Sequence, residues 1–257
     1  MSDDHIDRIR EQFTRTADVY ARLMQATQER GLKGLVKLAG AGAQDHVLDV
    51  ACGPGFLTMT FATHCAQVTG FDATDAFLEL AREEAKRRGL TNIAFEHGNA
   101  ERLPYDDASF DVVSCRAAYH HFPDPARLLA EMKRVLKSDG RMVIADMLGS
   151  EDPERARQHD RLERLCDPTH VRAIPAPELE RLFRDAKLTL VHDIRGTLDY
   201  ELMEWMSHGA PEEPVREQIV ALMESWAGTD AADLQVRRED SSLRFTHRTA
   251  AFVCTKG

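Results

Sequence analysis

Residues 47–57, VLDVACGPGFL, constrain the fold more than any other stretch of this chain. An apolar run carries Asp49, breaks at Gly53-Pro54-Gly55, and resumes with Leu57, Met59 and Phe61 at the start of a helix. The glycines let a backbone turn tightly and a ligand come close. The helix that follows offers unpaired N–H groups at its start. The pattern then repeats. QVTGFDA reads as a second strand, Asp75 to Arg88 as a helix ending at Gly89, and NIAFEHGNA as a third strand. FDVVSCRAAYH reads as a fourth strand, Pro125 to Leu136 as a helix stopped by Ser138-Asp139-Gly140, and RMVIADML as a fifth strand. Alternation of this kind predicts a doubly wound, Rossmann-like α/β sheet, with right-handed crossovers gathering the ligand-binding ends at one edge.

The flanks are more helical. Ile6, Ile9, Phe13, Ala17 and Tyr20 recur at steps of three and four, so residues 3–40 predict N-terminal helices, the second using Leu32, Leu35, Val36 and Leu38. Residues 151–175 are charged and punctuated by prolines, PAPELERLFRDAKL predicts a helix, and LTLVHDIRGTLDY a strand. Residues 200–228 predict an inserted helical pair before the last strands, and LQVRRED with LRFTHRTAAFVCTK a C-terminal hairpin. The expected organisation is a single domain over 1–257: an N-terminal cap (1–40), a ligand-binding core (41–150) and a substrate-side half (151–257).

What the turn can bind follows from its acids. The spacing is not the G-x-G-x-x-G of dinucleotide sites, and the lysine and Ser/Thr of a phosphate loop are missing. Asp49 would repel a pyrophosphate but can hold an ammonium group. Asp72 ends the second strand 19 residues past Gly53, where such folds set an acid against ribose hydroxyls. Ribose plus cation without phosphate describes S-adenosylmethionine. With 33 basic and 43 acidic residues the net charge is −10, which disfavours a nucleic-acid partner. No run of 18 apolar residues is present, so no membrane span is expected. Five scattered cysteines (Cys52, Cys65, Cys115, Cys166 and Cys254) without a C-x-x-C pair point to reduced thiols in a cytoplasmic protein, and the N-terminus has no apolar signal-peptide core.

With those residues in place, the chain resembles the class I S-adenosylmethionine-dependent methyltransferases, and within them the UbiE/YcgJ-like small-molecule group. The resemblance rests on VLDVACGPG, the acid of GFDAT, GNAERLPYDDASFDVVSCRAAYHHFPDP and LKSDGRMVIADM, and covers residues 10–195. It implies that Asp49, Ala51, Gly53 and Gly55 line the cofactor turn, that Asp72 and Ala73 meet the ribose, that Asn99 and Ala100 contact adenine, that Arg116 lies near the methionyl end, and that Tyr20 covers the cofactor. Ala51 stands where the family often has glycine, and Asn99 where aspartate is more frequent; the Asn99 oxygen could still accept from the adenine amino group.

Chemistry beyond cofactor binding is expected from Tyr119-His120-His121-Phe122 after the fourth strand and from Asp167-Pro168-Thr169-His170-Val171-Arg172, a stretch that resembles the YcgJ-like group. Either His121 or His170 could take the acceptor's proton, since imidazole titrates near neutrality, with His120 and Tyr119 beside them. A metal role for His120, His121 and Asp124 lacks a third strong ligand, so no metal is assigned. Arg172 would meet an anionic substrate or a surface acid. Met203, Trp205, Met206, Met223 and Trp226 would form core or an apolar lid.

The expected activity is methyl transfer to a small, fairly apolar acceptor at carbon or oxygen: a quinone-like, isoprenoid-like or secondary metabolite. Two alternatives stay open: a non-catalytic scaffold that binds the cofactor, and a methyltransferase fold recruited for a coupled reaction such as cyclisation. A nicotinamide-type oxidoreductase is disfavoured by the missing third glycine. The N-terminal helix would serve as a lid or as a homodimer contact.

Overall fold

The structure, a computed structural model, describes residues 3–27 and 29–256; the side chains of residues 3 and 23–30 lie outside that description. Two N-terminal helices, α1 (Asp3–Thr27) and α2 (Glu29–Leu38), precede the sheet. The core then alternates β1 (His46–Val50), α3 (Phe56–Ala62), β2 (Gln67–Asp72), α4 (Asp75–Arg87), β3 (Ile93–His97), β4 (Phe110–Arg116), α5 (Pro125–Val135) and β5 (Leu136–Met147). There follow α6 (Pro153–Cys166), α7 (Ala176–Asp185), β6 (Leu188–Glu201), α8 (Leu202–Met206), α9 (Glu213–Trp226), β7 (Arg237–Glu239) and β8 (Ser242–Lys256).

The strands form one sheet in the order β3-β2-β1-β4-β5-β8-β6, with β7 hairpinned onto β8. β1 to β5 are parallel, and β8 enters antiparallel between β5 and β6. This is the expected doubly wound architecture, and the strand order reverses at β1, with β2 and β3 to one side and β4 and β5 to the other, which creates the crevice where such sheets bind ligands. Central strands bury both faces: Val47, Leu48, Val50, Val112 and Val113 are fully buried, as parallel strands covered by helices on both sides must be. A second apolar cluster joins α6, α8 and α9 to β8 through Leu162, Trp205, Met206, Ile219, Met223, Trp226 and Phe245.

Three boundaries differ from the sequence expectation. Ser138-Asp139-Gly140 does not stop the chain after α5; β5 begins at Leu136 and runs through them. Gly140 is needed there because a Cβ would sit 2.9 Å from the Asp111 carbonyl oxygen, beside a register shift between Phe110 and Val112. β4 ends at Arg116 rather than near His120, since Ala117 turns left-handed (φ 49°) and a 3-10 turn, Tyr119–His121, follows. Residues 153–166 form a regular helix, started by the Asp152 carboxylate, which accepts from Glu154 N (2.9 Å) and Arg155 N (3.0 Å).

Candidate active site

The turn after β1 is held by the end of β2. Asp72 Oδ2 accepts from Gly53 N and Oδ1 from Thr74 N, both at 2.8 Å. The carboxylate therefore locks the glycine turn while keeping lone pairs for a ligand's hydroxyls. Asp49 lies beneath, 2% exposed, accepting from Thr58 Oγ1 and Ser114 Oγ at 2.7 Å each. Burial pushes its pKa up to about 6 against the pull of those hydroxyls and of Arg116. Burial likewise raises Asp72. A buried acid of this kind gains by meeting a cation.

Around the turn runs a cleft of about 90 Å³. Tyr20, Asp49, Ala51, Gly53, Asp72, Ala73, Asn99, Ala100 and Arg116 all line it, so nine of the ten residues assigned to the cofactor meet in one place. Gly55 is the exception. It caps α3 in the left-handed region (φ 76°), where a Cβ would lie 2.9 Å from Phe95 and 3.1 Å from Ala81. Its role is to pack the helix onto its neighbours. Ala51 also adopts φ 53°, which explains why glycine suits that position. Asn99 departs from expectation in detail: its Oδ1 accepts from Glu101 N at 2.9 Å, so the amide NH2 is the end offered to the cleft.

Helix α1 roofs the cleft. Ile6, Ile9, Phe13 and Tyr20 line it from above, which is the periodic apolar face seen in the sequence. Arg10 Nε donates to Ala73 O (3.0 Å), and Gln12 Nε2 donates to Gly209 O (3.0 Å), tying the roof to both halves.

A larger cavity of about 390 Å³ adjoins it, and Phe13, Tyr20, Arg116, Ala117 and His121 line both. His120, His121 and His170 cluster at this junction, with ring centroids 4.2 Å (His120–His121) and 5.4 Å (His120–His170) apart. Their surroundings divide them. Burial works against charge on His120, but the Asp146 carboxylate, 2.7 Å from Nδ1, overrides it and raises the pKa. Burial and the adjacent His120 charge press His121 down to about 3, leaving it neutral. Burial also lowers His170, whose Nε2 lies 2.9 Å from Asp160 Oδ1 and whose buried Nδ1 meets no partner among the described residues. The carboxylate fixes the proton on Nε2, so Nδ1 carries a bare lone pair.

Tyr119 stands apart. Its hydroxyl donates to Pro125 O at 2.6 Å and its ring lies in the main core, because the 3-10 turn sends it away from the histidines. Asp124 caps α5 by accepting from Arg127 N (3.1 Å), so the trio His120, His121 and Asp124 is not assembled. Arg172 pairs with Glu178, at 2.9 Å from Nη1. Of the helical insertion, Trp205 lines the cavity, Met206, Met223 and Trp226 are core, and Met203 is exposed. Sequence reasoning missed Asp146 and Asp160, whose role shows only once the chain is folded. It also missed the buried group His159, Glu163 and His247, of which Glu163 and His247 line the cavity.

A mostly parallel sheet, an acid-lined glycine turn and a roofed cleft define a class I S-adenosylmethionine-dependent methyltransferase. A family profile described as a methyltransferase domain matches residues 42–208, and the chain belongs to that family. The chain is 32% identical over 208 residues to the uncharacterised methyltransferase YcgJ of Bacillus subtilis, covering 81% of this chain and 82% of that one. The crystal structure of YcgJ superposes with a TM-score of 0.83 at 31% identity, covering 89% and 99% of the two chains. A putative methyltransferase of Bacillus halodurans superposes equally, with a TM-score of 0.83 at 25% identity over 88% and 99%. The demethylmenaquinone methyltransferase of Deinococcus radiodurans is 39% identical over 135 residues, 50% of this chain and 54% of that one. No helix among the described residues is long and apolar enough to cross a membrane.

The residues present fit the cofactor. The cleft holds two buried acids for a cation and ribose, an arginine for a carboxylate, and a buried Thr74 hydroxyl that lacks a partner among the described residues.

Proposed function

We propose that the protein transfers a methyl group to a hydroxyl, or to an activated carbon, of a small and fairly apolar acceptor held in the 390 Å³ cavity. When bound, S-adenosylmethionine supplies a methyl carbon already activated by the positive sulfur. The protein is left to align two partners and remove one proton. Asp49 would face the ammonium, Arg116 the carboxylate, Asp72 the ribose, and the Asn99 amide a ring nitrogen of adenine. Tyr20 and Phe13 line both the cleft and the acceptor cavity, so they would stand where the two bound partners meet.

The observation that carries the mechanism is the Asp160–His170 pair. A carboxylate at 2.9 Å orients the ring and an unpartnered Nδ1 is left to receive a proton. His121, with a pKa near 3, is a poor base and serves instead as a neutral wall where the two cavities meet. Apolar walls from Leu32, Leu35, Ile194, Leu198 and Trp205 suit a ring or an isoprenoid chain. The relative that acts on demethylmenaquinone supports an acceptor of this type. The test is transfer of isotope-labelled methyl to a panel of hydroxylated quinols and prenylated phenols, comparing wild type with His170→Gln. Turnover in the wild type that falls steeply in the variant, with unchanged cofactor affinity, is expected. Equal rates in both would remove His170 from the mechanism.

A further inference from the structure

We propose that His159, Glu163 and His247 hold one divalent transition-metal ion of the zinc class at the inner wall of the acceptor cavity, where it would take an acceptor oxygen as a further ligand. The three side chains come from two elements. His159 and Glu163 lie four residues apart on α6 and so share one face, and His247 reaches them from β8. All three are fully enclosed, between 2% and 3% exposed. Their donor atoms lie within 4.8 Å of one another. Glu163 Oε1 is 3.0 Å from His247 Nε2 and 3.5 Å from His159 Nε2.

At those separations the carboxylate is in ion-pair contact with both rings, but the atoms are not aligned for a well-directed hydrogen bond. His159 Nε2, His247 Nε2 and Glu163 Oε1 each lack a hydrogen-bond partner among the described residues. Three buried polar atoms without a well-directed hydrogen bond would be costly. Atoms at hydrogen-bond distance that do not point at each other can instead point at a common centre. Ligands about 2.0–2.1 Å from a tetrahedral zinc stand about 3.3 Å apart, a value that lies between the two observed separations. Two neutral imidazoles and one carboxylate form the donor set of three-ligand catalytic zinc sites, which keep an open position. Charge agrees, because a dication would offset the enclosed Glu163 carboxylate, whose ion-pair partners among the described residues are the two histidines.

The open position would face the cavity. Glu163 and His247 line it while His159 stands behind them. Around His247 the wall is aromatic, with ring centroids of Phe245 at 5.1 Å and Tyr200 at 5.2 Å. A low-dielectric wall strengthens a cation's pull on an acceptor hydroxyl or phenol oxygen, and the proton so loosened can pass to a base such as His170. This last role rests on the reading of the cavity as the acceptor site; metal binding itself does not.

The experiment uses untagged, chelator-stripped full-length protein titrated with Co2+ and Zn2+. Calorimetry gives stoichiometry, and the visible absorption of bound Co2+ reports its coordination. The expected result is one ion per chain, intense low-symmetry Co2+ bands, and affinity lowered by about 100-fold or more in Glu163→Gln and His247→Gln. Binding of S-adenosylhomocysteine to each variant certifies that it is folded. Should a variant fail that control, the wild-type spectrum still decides: no uptake, or the weak bands of an octahedral aqua ion, overturns the proposal. Folded variants that bind metal as tightly as wild type overturn it too. Absence of methyl transfer with metal bound would count against the acceptor reading and leave the metal site standing.

Discussion

Replacing Asp49 by asparagine should make the free protein more stable while disabling it. The carboxylate's pKa is pushed from 3.8 to about 6 by burial, so ionisation at neutral pH opposes folding. The gap corresponds to about 3 kcal/mol at 1.36 kcal/mol per pH unit. Because the folded value lies above the unfolded one, this contribution to stability is fully present below pH 3.8 and lost as pH rises through 6. Asparagine does not ionise, so it escapes the loss. It keeps one oxygen for the two hydroxyls of Thr58 and Ser114, which costs about 1 kcal/mol. The net gain is about 2 kcal/mol at pH 7, or about 4–8 °C in melting temperature for a chain of this size. Circular-dichroism melts of the ligand-free protein from pH 4 to 8 read this directly. The gap between variant and wild type should open as pH rises. Binding of S-adenosylhomocysteine should weaken by about 10- to 100-fold, since a hydrogen bond to a charged group is worth about 1.5–3 kcal/mol. A variant that melts below wild type at pH 7, or a gap that ignores pH, would refute the reasoning.

Other positions give independent tests. Asp160→Asn should lower kcat by about 100-fold or more with little change in KM, because it misorients His170 without touching the acceptor; an unchanged kcat counts against the pair. His121 is depressed in the folded state to about 3, so protonation favours unfolding as pH falls from 6.5. His121→Gln should therefore flatten the decline of melting temperature over that window, and an unaltered acid limb would contradict the assignment. Ala51→Gly removes a left-handed alanine at a cost of greater chain freedom when unfolded, so stability should change by less than about 1 kcal/mol; a larger loss would show that the methyl packs against something essential.

The cofactor cleft was legible in the sequence because it is built from strand ends and their adjoining turns. Asp49, Ala51, Gly53, Asp72 and Asn99 each sit beside the turn they serve, so local pattern places them. Gly55 and Tyr119 show the limit of that logic. Both flank the site in sequence, but one packs a helix onto Phe95 and the other turns into the core. The histidines were found as candidates and not as roles, since Asp146 and Asp160 divide them only through tertiary contacts 26 and 10 residues away. Helix α6 left little apolar signal because its inner face carries His159 and Glu163 beside Leu162 and Cys166. The polar residues that hid the helix are the ones that form the buried triad.

The central claim is that the acid-lined turn holds the methyl donor. The most direct measurement is calorimetric titration of S-adenosylmethionine and S-adenosylhomocysteine into wild type and Asp72→Ala. Asp72 meets Gly53 N and Thr74 N as well as the cleft, so its loss both unclamps the turn and removes the ribose acceptor. One site per chain that nearly vanishes in a variant still folded by circular dichroism is the predicted result. No binding of either ligand to the wild type, or equal binding to both proteins, would contradict the account.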